Sequence, residues 1–189
     1  MVQTPARPLT LEEFLALPND DTALELVDGV AVPKMPPKRF HSGVQKGLNH
    51  ILDPVLKTRG HFYPEWAVAL KRKDRDWVPA PDLTYVSFER LPVDWLEDAP
   101  CPVPVDLAIE IVSPDQTVGD MLAKAADYIT AGVRMVWIVD PKARTSAVFT
   151  ANRLPVTYQN DQILKVEGLP QLNFYVADVF IEAGLPVQP

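Results

Sequence analysis

Apolar residues along the chain fall into two rhythms, short alternating or continuous runs and stripes spaced three or four apart, with prolines separating them. Thr10 followed by LEEFLAL predicts a short helix, with the Thr10 hydroxyl as cap and Glu13 placed to complete a capping box. Pro18 and the polar Asn19 to Asp21 close it. ALELVDGVAV then predicts a β-hairpin, because two apolar runs flank Asp28-Gly29, a dipeptide suited to a tight turn with positive φ.

From His41 to Lys57 the apolar positions Val44, Leu48, Ile51, Leu52, Val55 and Leu56 recur at helical spacing, despite Gly43, Gly47 and Pro54. HFYPEWAVAL reads as one strand and KRKDRDW behind it as an exposed turn. PDLTYVSF and VDLAIEIVS read as two buried strands, joined by the Pro-rich loop LPVDWLEDAPCPVP, long enough for a lid or a partner-binding edge. In VGDMLAKAADYITAG the residues Val118, Met121, Leu122, Ala125, Tyr128 and Ile129 share one helical face, and Gly132 stands where a C-terminal cap belongs. MVWIVDP and RTSAVFT form a second strand pair, and the tail to Phe180 reads as short strands with a final turn. This order points to an α/β fold, a mixed sheet with helices packed on it and an N-terminal β-hairpin.

With 189 residues, 47% of them hydrophobic, the chain is expected to fold as a single domain over 1–189 with a full core. One cysteine, Cys101, excludes an internal disulfide framework. No apolar stretch reaches membrane-spanning length and no secretory leader is legible, so a cytoplasmic protein with no membrane partner is expected. A net charge of -7 argues against a broad, sequence-blind nucleic-acid binder. Two local basic groups nonetheless stand out: Lys34, Lys38, Arg39 and Lys46, and then Lys71, Arg72, Lys73 and Arg75. Each is either an ordinary solvated run or a contact for an anionic substrate.

Several chemistries lack their motifs. No serine has the glycine-flanked surroundings of a nucleophile elbow, and no phosphate-cradling glycine loop is present. His41, His50 and His61 lack the spacing of a zinc site. Carboxylates remain. Asp82 opens a strand directly after Pro81, and Glu110 interrupts the apolar run LAIEIVS, where a charge is costly unless it is paired or bound to metal. Neighbouring strands could bring the two together around Mg²⁺ or Mn²⁺. Alternatively, Glu110 faces solvent or pairs with a Lys or Arg.

The ordered set PDLTYV, LAIEIVSP, a helix bearing Lys124, TAGV and VWIVDP resembles the Uma-two endonucleases of the PD-(D/E)XK restriction-endonuclease-like superfamily. The ALELVDG hairpin, MPP and the histidine-led helix at His41 resemble the same family's opening. The resemblance implies a restriction-endonuclease-like mixed β-sheet flanked by helices, and a Mg²⁺-dependent (or Mn²⁺-dependent) endonuclease acting on DNA. It implies Asp82 and Glu110 as catalytic metal ligands, with Glu25 completing the metal shell.

The superfamily's usual lysine lies two residues beyond the acidic one, and here that position is Val112. The resemblance implies that Lys124 supplies the ammonium group from the following helix, beside its apolar face; the competing arrangement is a surface pair with Asp120. Substrate contact falls to Lys34, Lys38, Arg39, His41, Lys71 and Arg72. Glu25 could equally be a solvent-facing hairpin carboxylate, and His41 a capping or surface residue. A homodimer is one assembly open to such a nuclease. The alternative function is a nuclease-fold protein with weak or no cleavage, acting as a nucleic-acid-binding or protein-interaction module; the charge, Val112 and the Pro-rich loop support it.

Overall fold

A computed structural model describes residues 7–18, 23–166 and 169–185. Asn19 to Asp21, expected to close the first helix, lie outside the described residues. That helix, α1 (Leu11–Leu15), has the expected capping box between Thr10 and Glu13. The hairpin follows as β1 (Leu24–Val27) and β2 (Val30–Pro33), with Asp28 and Gly29 at φ 52° and 80°, the left-handed conformations that a tight primed turn requires.

A six-stranded mixed sheet forms the centre. Its edge strand β3 (Gly60–Pro64) is followed across the sheet by β6 (Leu83–Ser87), β7 (Leu107–Ile111), β8 (Met135–Asp140), β9 (Thr145–Thr150) and β10 (Val156–Gln159). Only β7 and β8 run parallel, the crossover being helix α3 (Val118–Thr130). Side chains alternate across it. Leu107, Ile109 and Ile111 pack towards helix α2 (Arg39–Leu56), whereas Ala108 and Glu110 point to the face that α3 covers.

Helix α2 tolerates its glycines because it lies tightly against α4 (Val176–Glu182). A Cβ on Gly47 would stand 2.8 Å from the Val179 carbonyl oxygen, and one on Gly43 the same distance from that of Ala183. Pro54 sits in the last turn.

Five expectations need correction. HFYPEWAVAL is two strands, because Glu65 turns the chain at φ 53° between β3 and β4 (Leu70–Arg72). KRKDRDW is the hairpin of β4 with β5 (Arg75–Trp77), and Trp77 is buried, its ring tilted against that of Tyr128 at 4.7 Å between centroids. Part of the Pro-rich loop is core, since Leu91 and Cys101 are buried and Cys101 bridges to Val68. The final turn is helix α4, whose Val176, Val179 and Phe180 complete the core under α2.

The fifth concerns α3. It buries Met121, Ala125 and Tyr128, while Val118 and Leu122 are 63% and 44% exposed. The helix is thus turned about its axis relative to the purely apolar face, and that turn brings Lys124 towards the sheet. No described helix is long and apolar enough to cross a membrane.

Candidate active site

Continuing the Leu83–Ile109 pairing by one residue sets Asp82 opposite Glu110. Continuing Pro64–Leu83 in the same way sets Glu65 opposite Asp82, and the Glu65 amide donates to the Asp82 carbonyl at 3.3 Å. Three acidic residues therefore stand in one row across β3, β6 and β7, at the roughly 4.8 Å spacing of neighbouring strands. The hairpin adds a fourth: Glu25 Oε1 accepts the Ala80 amide at 3.0 Å.

Asp82 is the most constrained member. Its Oδ2 accepts the Ile111 amide at 2.6 Å and lies 3.0 Å from His41 Nε2; its Oδ1 lies 3.2 Å from Lys34 Nζ. Burial works against its charge, but the His41 hydrogen bond, Lys34 and the Ile111 amide outweigh it and hold the carboxyl below its ordinary pKa. Glu110 goes the other way. Burial, with repulsion from Asp82 and Glu25, raises its pKa against the opposing pull of Lys124 and the Tyr128 hydroxyl, which donates to Oε1 at 2.6 Å.

Lys124 Nζ lies 3.0 Å from Glu110 Oε1 and 3.6 Å from Glu25 Oε1. Burial disfavours its charge, yet Glu110 and Glu25 more than compensate and hold its pKa above the ordinary lysine value. Lys34 forms the matching bridge at the other end of the row, to Asp82, Glu65 and the Ala80 carbonyl. Gln45 of α2 fixes Glu65, donating to its Oε1 at 2.8 Å and to the Asp82 carbonyl at 2.9 Å.

Among the described residues, no three His, Cys, Asp or Glu side chains stand close enough together to form a metal cage unaided. The lysines lie between the carboxylates, Lys124 between Glu110 and Glu25 and Lys34 between Asp82 and Glu65. Four carboxylates against two ammonium groups still leave the cluster with excess negative charge. Its donors are hard oxygens, the set that suits Mg²⁺ or Mn²⁺ rather than a thiophilic ion.

The chain matches the Uma2 family, described as "Putative restriction endonuclease", over residues 11–178. It belongs to the Uma2 family. Among solved structures, the chain is similar to a protein from Anabaena variabilis ATCC 29413, described as a "putative nuclease belonging to DUF820". The TM-score is 0.79 at 24% identity, covering 93% of this chain and 99% of that one. That likeness shows that this Uma2 protein shares the fold of that structure. None of the curated proteins matches the chain.

Of the Uma2 residues expected from sequence, the structure gathers Glu25, Lys34, His41, Asp82, Glu110 and Lys124 into this one cluster. Lys34, expected only as a substrate contact, is part of the carboxylate network itself. Lys38 pairs with Asp115, and Arg39 begins α2 two residues before His41. Lys71 and Arg72 point elsewhere. Lys71 pairs with Asp76, and Arg72 pairs with Asp28 and Asp127 while its guanidinium lies over Trp77 at 5.8 Å. Arg72 thereby ties the hairpin that carries Glu25 to the helix that carries Lys124.

Sequence reasoning missed Glu65, Gln45 and the polar role of Tyr128. For Tyr128 a signal existed, since it lies one helical turn beyond Lys124 on the same side. Glu65 had none, because its place in the row depends on the register of an edge strand.

Proposed function

We propose that this Uma2 protein is a cytoplasmic, divalent-metal-dependent endonuclease that hydrolyses phosphodiester bonds in DNA. The observation that carries the reading is the meeting of Asp82 and Glu110 on adjacent strands with Lys124 Nζ 3.0 Å from Glu110. Asp82 and Glu110 would hold Mg²⁺ or Mn²⁺, with Glu25 at the margin of the shell. Bound there, the ion neutralises phosphate charge and lowers the pKa of a coordinated water.

The chain's own groups do the rest. His41 and the Ile111 amide orient Asp82 and keep it ionised. Tyr128 orients Glu110. Lys124, with its raised pKa, remains an ammonium group; it is suited to hold the attacking water and offset charge on the phosphate oxygens, not to remove a proton. The new bond forms between water oxygen and phosphorus as the water gives up a proton to solvent, and the bond to the leaving sugar oxygen breaks, that oxygen taking up a proton from solvent. Lys38 and Arg39, at the start of α2, supply positive charge for the flanking phosphates, with Lys71 and Arg72 more distant candidates. A two-fold homodimer, which would present two such sites to the two strands, belongs to the same reading.

Part of the case for a nuclease-fold binding module rested on Val112 standing where a lysine is usual. Lys124 Nζ, 3.0 Å from Glu110, weighs against that part of the case.

The test is cleavage of plasmid and linear DNA with Mg²⁺ or Mn²⁺, paired with calorimetric titration of Mn²⁺. Cleavage abolished by EDTA and by Glu110→Gln, with Mn²⁺ binding lost in the Asp82→Ala, Glu110→Ala double variant, is the expected result. Mn²⁺ affinity unchanged in the double variant, or no cleavage with either metal, overturns the reading.

A further inference from the structure

Both feet of the segment between β2 and α2 stand on one carboxylate. Lys34, at its start, reaches Asp82 Oδ1 at 3.2 Å, and His41, just past its end, reaches Oδ2 at 3.0 Å. The residues between, Met35, Pro36, Pro37, Lys38, Arg39 and Phe40, therefore form a short arch over the candidate metal ligand. Two prolines restrict its backbone, so little freedom remains to be lost on contact.

Two features of the arch suit a ligand. Met35 is 76% exposed and Phe40 52% exposed, so two large apolar side chains stand in water on the segment whose two ends both reach Asp82. Lys38 and Arg39 sit at the positive pole of α2, where no side chain caps the helix and no acidic residue occupies the first turn. Cations there oppose the helix dipole and weaken the fold slightly. Local choices that work against folding gather where a ligand compensates for them, and an anion flanked by apolar surface would compensate for both. Lys38 also bonds Asp115 at 2.7 Å, which ties the arch to the segment leading into α3.

We propose that the Met35–Phe40 arch is a wedge that enters DNA at a base step next to the scissile phosphodiester, its two apolar side chains against the bases and its two cations on the flanking phosphates. The inference rests on the nuclease reading for the position of the scissile bond. Proteins that insert Met, Phe or Pro between base pairs unstack and kink the duplex, and pyrimidine–purine steps yield to this more readily than A-tracts. The substrate class that follows is DNA that is already flexible or distorted at the cut, in preference to a stiff, uniform duplex.

The experiment compares two duplexes identical except for a central TA or AA step, each with 2-aminopurine beside that step. Cleavage is followed with Mg²⁺ or Mn²⁺, and fluorescence is followed on binding with Ca²⁺. The parent protein is expected to unstack the probe and to favour the TA duplex. The Met35→Ala, Phe40→Ala variant, shown by thermal melting to be folded, should lose the fluorescence rise and the step preference, with KM raised about tenfold or more by the lost apolar burial. Met35→Leu should restore most of the effect on its own arm.

A fluorescence rise without cleavage by the parent supports the wedge and counts against the nuclease. Cleavage with neither fluorescence rise nor step preference overturns the wedge and leaves the nuclease standing. A double variant that keeps the parent's KM, preference and fluorescence also overturns it and points the arch towards a protein partner, and a parent that neither binds nor cuts DNA overturns both.

Discussion

Lys124 Nζ lies 3.0 Å from Glu110 Oε1, and the ammonium group arrives from helix α3, not from the strand that carries Glu110. Two residues beyond Glu110, where a strand-borne lysine would sit, the chain has Val112. The ammonium group reaches the carboxylate because α3 packs with Lys124 and Tyr128 towards the same edge of the sheet.

Lys124→Met should reduce metal-dependent cleavage by about 10²-fold or more, the usual loss when a group that stabilises developing charge is removed. It should also expose the residue's structural role. Glu110 and Glu25 would be left facing one another without their ammonium group, at a cost of roughly 3–5 kcal/mol for buried charge left unpaired. Melting in EDTA should therefore drop sharply, and Mn²⁺ should restore more stability to the variant than it adds to the parent. Full cleavage activity in the variant would remove Lys124 from the mechanism.

Glu110 predicts a pH dependence with a definite sign. Its pKa is raised above the ordinary 4.5 by burial and by Asp82 and Glu25, so the folded protein binds its proton more tightly than the unfolded chain does. In EDTA, stability should fall as pH climbs from the ordinary 4.5 through the raised folded-state value. Metal needs the carboxylate, so Mn²⁺ affinity should rise over the same interval. Tyr128→Phe removes a hydrogen bond that favours the carboxylate and should move the rise to higher pH, whereas Glu110→Gln should erase it. Asp82, held below its ordinary value, is already ionised there, and its own contribution is lost only in stronger acid. Calorimetry from pH 4 upwards reads the two trends, and affinity independent of pH throughout the range in which the protein stays folded would exclude Glu110 as a ligand.

Gly47→Ala tests the packing beneath the site. In an exposed helix this change gains about 1 kcal/mol. Here the new Cβ would stand 2.8 Å from the Val179 carbonyl and 3.2 Å from the Ala183 amide, so α4 must shift, at a cost of about 1–3 kcal/mol. A lowered urea midpoint is expected. Because α2 also presents His41 and Gln45 to Asp82 and Glu65, weaker Mn²⁺ binding should accompany it.

The sequence by itself determined the local elements and the chemical inventory. Thr10 with Glu13 specified a capped helix, Asp28-Gly29 a hairpin, and the apolar runs around Asp82 and Glu110 two buried strands, because capping, positive φ and side-chain alternation depend on neighbours in the chain. Tertiary structure decided the rest. Whether Asp82 faces Glu110 depends on the register between strands far apart in sequence, and the same register brings Glu65 into the row from an edge strand with no motif to mark it. The turn of α3 that carries Lys124 inward and leaves Val118 outside balances charge pairing against apolar burial, a balance that a helical repeat alone cannot express. Lys34 looked like one of several surface lysines; only the path of the chain over Asp82 made it part of the site.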